Sequence, residues 1–114
     1  MSRRLRAVLM SAAIMNGSPG FHKLAFRVDA GRGRIENVTV LVSTDAERKL
    51  VSQLTRARLP RPEGARLLQA WARWEMSLRF RETGLIPATI TITATDLDDF
   101  GAYATNLGQS LLAS

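Results

Sequence analysis

Side chains able to exchange protons, bind a metal or attack a substrate are few in this chain. His22 is the single histidine, and it stands beside Phe21 where a strand pattern begins, a place that suits packing or surface exposure better than general-base work. There is no cysteine, which removes thiolate nucleophiles, thiolate metal sites and disulfides by inventory. No nucleophile-elbow sequence is present. Glycines at 31, 33, 64, 84, 101 and 108 spell neither a phosphate loop nor a dinucleotide fingerprint. Asp96, Asp98 and Asp99 are carboxylates of the kind that hold a hard cation. They also head a helical pattern, where their charge complements the positive end of the helix dipole at less cost. Trp71 and Trp74 flank Arg73, an arrangement that can stack on bases, but with Leu67 and Leu68 they fall at helical spacing and read as core. This inventory points away from an enzyme and asks for no cofactor and no metal.

The distribution of charge is more informative. Formal charge is +6, and fourteen arginines stand against two lysines. Residues 1–60 hold eleven basic side chains against four acidic ones, whereas residues 61–114 hold five against six. A basic half facing a polyanion gains affinity by releasing counterions from phosphates. The arginine excess fits bidentate phosphate recognition and fits a compositional bias equally well. The residues expected to make such contacts are Arg3, Arg4 and Arg6 near the N-terminus, Lys23, Arg27, Arg32 and Arg34 on a hairpin, and Lys49 and Arg56 on the helix that follows it.

The elements that position these residues can be read from periodicity. Arg3 to Met15 places Leu5, Val8, Leu9 and Ala12 on one stripe, which predicts an N-terminal helix with a basic head. The same segment resembles the charged and apolar regions of a secretory signal. Its small-x-small site at Ser11 and Ala13 leaves an apolar region shorter than the usual ~7–15 residues, so an integral helix of a cytoplasmic protein is expected. No apolar run approaches the ~20 residues that a membrane-spanning helix needs.

From Phe21 to Asp29 apolar and polar residues alternate, Ile35 to Val42 is rich in β-branched residues, and the glycines at 31 and 33 between them predict a hairpin. Thr44 and Glu47 read as the capping box of a helix ending at Leu59–Gly64, where two prolines stop it. Ala65 to Trp74 is helical. Met76, Leu78 and Phe80 alternate, which favours a strand over 76–81, although Leu67, Trp71, Trp74 and Leu78 would equally continue a helix. Ala88 to Thr95 is the clearest strand, and Thr95 or Asp96 caps a last helix carrying Leu97, Phe100, Ala104, Leu107 and Leu111.

The expectation is therefore a single α+β domain over 1–114. It is a two-layer arrangement of about four antiparallel strands in two ββα units, with an N-terminal helix and helices packed on one face. With the strand over 76–81, the order α-ββ-α-ββ-α resembles small secretion chaperones and some phage tail-joining subunits. With a helix there, α-β-β-α-α-β resembles the second type of RNA-binding KH domain, although Arg61-Pro62-Glu63-Gly64 stands where that family has a glycine-x-x-glycine loop. The expected function is non-enzymatic binding of nucleic acid or another polyanion. The alternative is an oligomeric assembly subunit or adaptor, pairing with a protein partner or with itself through a sheet edge such as Ala88–Thr95.

Overall fold

The computed structural model describes residues 5–113, so Arg3 and Arg4 lie outside the described residues. The strands are β1 (Arg6–Met15), β2 (Phe21–Asp29), β3 (Ile35–Ser43) and β4 (Thr89–Ile92), and the helices are α1 (Thr44–Arg56), α2 (Ala65–Thr83) and α3 (Ala102–Ala113). The strands form one sheet in the order β1-β2-β3-β4. The chain is thus α+β, but the sheet is mixed: β1–β2 and β2–β3 are antiparallel, while β3–β4 is parallel. Two helices separate β3 from β4, and a crossover of that length returns the chain in the same direction.

Two predicted elements are corrected. The first is the N-terminal helix, which is the edge strand β1. Its residues are good helix formers, and pairing with β2 along its whole length overrides that preference. A register shift between Leu9 and Ser11 leaves Met10 as a β-bulge. Ala7 and Leu9 lie across from Val28 and Phe26, and beyond the bulge Ala12 and Ile14 lie across from Leu24 and His22. The inward residues therefore step by three between Leu9 and Ala12. That step hides the period of two and imitates a helical stripe. The second correction is residues 76–81, which belong to α2. Met76 and Phe80, one helical turn apart, are both buried, and Glu75 and Arg79 make an i,i+4 ion pair. Gly84 ends the helix in a left-handed conformation, φ 71°, and its N–H donates to the Phe80 carbonyl.

With a strand first, the order is β-β-β-α-α-β-α, which departs from both resemblances drawn from the sequence. The N-cap of α1 is Ser43, whose hydroxyl accepts from the Ala46 N–H at 3.0 Å, and Glu47 turns instead to His22. The last helix is split, with a 3-10 turn at Ala94–Leu97 preceding α3. Phe100 (φ 60°) and Gly101 (φ 85°) break the path between them, and Phe100 is fully exposed rather than part of the apolar stripe.

One core joins the sheet to the helices. Leu24, Phe26 and Val28 of β2, Val38, Val40 and Val42 of β3, and Ile90 and Ile92 of β4 meet Leu50, Leu54, Trp71, Met76, Leu97 and Leu107. Alternate residues of the same strands point to the other face and are exposed or half-buried, except Ser43 at the end of β3, which is buried. Arg73 ties α2 to the outer strands, lying 5.5 Å over the Phe26 ring and donating from Nε to the Ala7 carbonyl. At Gly108 of α3 an added Cβ would come 2.7 Å from Leu59 and 3.1 Å from Leu54, so this position lets α3 approach α1 closely.

Candidate polyanion-binding surface

The hairpin between β2 and β3 closes through Ala30–Gly33. The Ala30 N–H donates to the Arg34 carbonyl at 2.9 Å, the Arg34 N–H donates to the Gly31 carbonyl at 3.1 Å, and the Gly31 N–H donates to the Asp29 carboxylate at 2.8 Å. Gly31 (φ 87°), Arg32 (φ 56°) and Gly33 (φ 77°) are all left-handed. Glycine takes that conformation freely, whereas an arginine there costs about 1–2 kcal/mol. Arg32 is held at the apex by the turn and projects from an exposed segment.

On the sheet face away from the core, Arg27 of β2 has Val8 of β1 on one side and Asn37 of β3 on the other. Lys23 lies on the same face between Ala13 and Leu41, about 13 Å further along the strand. Arg6 of β1 also faces this way, opposite Asp29. Arg6, Lys23, Arg27 and Arg32 make no hydrogen bond or ion pair through their side chains with another described residue. Their charges are therefore uncompensated locally, apart from the neighbouring carboxylate of Asp29.

The other expected contact residues do not join this group. Arg34 donates to Glu36 at 3.4 Å, both exposed. Lys49 is engaged by Asp98, and Arg56 stands in the last turn of α1, on the helical side of the sheet. Each carboxylate at 96–99 also has a local task. Asp96 accepts from the Thr93 N–H at 2.8 Å, Asp98 holds Lys49, and Asp99 accepts from the Tyr103 N–H at 2.9 Å.

Two clefts open elsewhere. One, of about 520 Å³, lies where Ala12, Ile14, His22 and Leu24 of the sheet run past the start of α2 at Ala65 and Leu68. At its wall His22 Nε2 meets Glu47 Oε1 at 3.2 Å. The other, of about 460 Å³, lies between Arg56 and Phe100.

Sequence reasoning missed a polar cluster inside the core. Trp71, fully buried, donates from Nε1 to the Tyr103 hydroxyl at 2.8 Å, and that hydroxyl donates to the buried carboxylate of Glu75. Arg79 Nε donates to the second Glu75 oxygen at 3.3 Å. Burial, and then the charge of Glu75 and its hydrogen bond, push the Tyr103 phenol far above its ordinary range. Trp74 meets the same tyrosine edge to face at 5.1 Å. The cluster joins α2 to α3, and the one sequence cue to it was the i,i+4 spacing of Glu75 and Arg79 on a helix. No helix among the described residues is long and apolar enough to cross a membrane. No protein-family model, no curated protein and no solved structure matches the chain.

Proposed function

We propose that the protein is a non-enzymatic nucleic-acid-binding domain of two layers, whose open sheet face and hairpin tip meet the phosphate backbone. The observation that carries this reading is the set Arg6, Lys23 and Arg27 on the sheet face away from the helices, with Arg32 at the adjoining hairpin tip, none of them with a side-chain partner among the described residues. A sheet surface with basic side chains and small neighbours such as Ala25, Ser11 and Ala13 lets a backbone approach closely, and phosphate contacts of this kind set register without reading sequence. The left-handed Arg32 supports the same reading: the position favours glycine and carries a guanidinium.

Fluorescence anisotropy of labelled single-stranded DNA, duplex DNA and RNA tests it. Binding should persist at about 0.15 M salt and weaken log-linearly as salt rises. The Lys23→Ala/Arg27→Ala/Arg32→Ala variant should lose affinity for all sequences alike, its salt slope falling by about 0.7–0.9 per contact removed. Equal affinity in wild type and variant overturns the site.

A second reading, assembly through protein contacts, is favoured by a different observation. The edge strand β1 is ten residues long and exposes Val8, Met10, Ile14 and Met15. Edges of this kind are normally short, charged or covered.

A further inference from the structure

Resting on that second reading, we infer that β1 pairs antiparallel with β1 of a second copy of this chain, across a two-fold axis between Met10 and Ser11. The bulge selects this register. Inward residues are Ala7, Leu9, Ala12 and Ile14, and outward residues are Arg6, Val8, Ser11, Ala13 and Met15. In an unbroken strand an axis between two consecutive residues would set inward against outward at every rung, since faces alternate. Here the extra residue at Met10 reverses the parity halfway. Ala7 therefore meets Ile14 of the other copy, Leu9 meets Ala12, Val8 meets Ala13, Arg6 meets Met15 and Met10 meets Ser11. Every regular rung has both side chains on one face, and residues sharing a face also direct their amides to one edge, so donors and acceptors match as well, with the Ala7 carbonyl shared between Ile14 of the other copy and Arg73 Nε, which donates to it at 3.3 Å. A slip of one residue puts inward against outward. A slip of two either sets Leu9 against the bulged Met10 or sets outward Ser11 against inward Ala12.

The same register is complementary in size. Each large apolar residue meets a small one: Leu9 with Ala12, Ile14 with Ala7, Val8 with Ala13 and Met10 with Ser11. Ile14, 67 % exposed, and Val8, 59 % exposed, gain neighbours without a clash. Antiparallel pairing also places the two Arg6 side chains at opposite ends, about 30 Å apart, where a parallel pairing would bring like charges together. A bulge ordinarily blunts an edge against association. Here it excludes unbroken strands and admits one with the same irregularity at the same place. Pairing joins the two sheets into one, with both basic faces on the same side and the two hairpin tips, each next to its Arg6, at opposite ends.

Sedimentation equilibrium and cysteine pairing test this. The wild-type protein should show twice its 12.6 kDa chain mass at micromolar concentration, and Met10→Lys, a substitution at a 61 % exposed position beside the axis, should restore the single-chain mass. The chain has no native cysteine. Val8→Cys and Ala13→Cys, mixed and mildly oxidised, should therefore give a disulfide-linked dimer, because opposed rungs meet the Cα separation of about 4.4–6.8 Å that a disulfide needs. Either variant alone should not. A single-chain mass at every concentration overturns the pairing, and if no protein partner copurifies it overturns the assembly reading as well. A dimeric mass without the mixed cross-link, or unaltered by Met10→Lys, overturns the pairing alone and moves the contact to another surface.

Discussion

Replacing Tyr103 by Phe removes one oxygen from the interior and should be among the most damaging conservative substitutions in the protein. The hydroxyl accepts from Trp71 Nε1 and donates to Glu75, and both partners are almost wholly buried. Without it the indole N–H has no acceptor, at a cost of about 1–3 kcal/mol, and Glu75 keeps only the donation from Arg79. Relaxation of the carboxylate toward the indole recovers part of this, so the expected loss is about 2–4 kcal/mol, or about 10–20 °C in Tm for a domain of this size. Urea unfolding followed by circular dichroism measures it. In a double-mutant cycle, Tyr103→Phe and Glu75→Gln should be non-additive by at least about 0.5 kcal/mol, because they break one network. The pH dependence gives an independent check. The phenol's pKa is raised on folding, so its neutral form contributes stability that is complete below the unfolded value of about 10 and lost as pH climbs through the folded value. The stability difference between wild type and Tyr103→Phe should therefore shrink above about pH 10. A loss under about 0.5 kcal/mol, or a difference that grows in alkali, would refute the network as a stabilising element.

Two further outcomes follow from backbone and packing. Arg32→Gly should raise the urea midpoint, by about 0.5–1 kcal/mol in stability, since glycine accepts φ 56° without strain, while weakening nucleic-acid binding; a lower midpoint would contradict the strain argument. Gly108→Val should cost about 1–3 kcal/mol in the same assay, because its Cβ would fall 2.7 Å from Leu59 and the branched side chain would press further on Leu54.

Strands β2 and β3 and the turn between them are legible because their alternation is uninterrupted and Gly31 and Gly33 mark the reversal. Helix α1 is legible for a similar reason, although its cap shifts by one residue to Ser43. What misled in each wrong element was a coincidence of periods. In β1 the extra Met10 turns a repeat of two into a local step of three. In α2 the alternation of Met76, Leu78 and Phe80 hides the one-turn spacing of Met76 and Phe80 that the core uses. The basic group was legible as composition but not as geometry. Lys49 and Arg56 share a helix, and only the packing of that helix shows that they face away from Lys23 and Arg27. The Tyr103 cluster joins residues 28 and 32 positions apart on different helices, a relation that no local pattern carries.

Both tryptophans of the chain, Trp71 and Trp74, sit on one helix against the same tyrosine. Intrinsic emission thus reports on the interior around α2, including the docking of α3 on it. It should shift when those helices part and stay constant when phosphates occupy the hairpin tip or a second chain joins the outer strand. A titration that changes tryptophan emission would therefore report a deformation carried through the core, whereas a silent one is what local binding at the sheet should give.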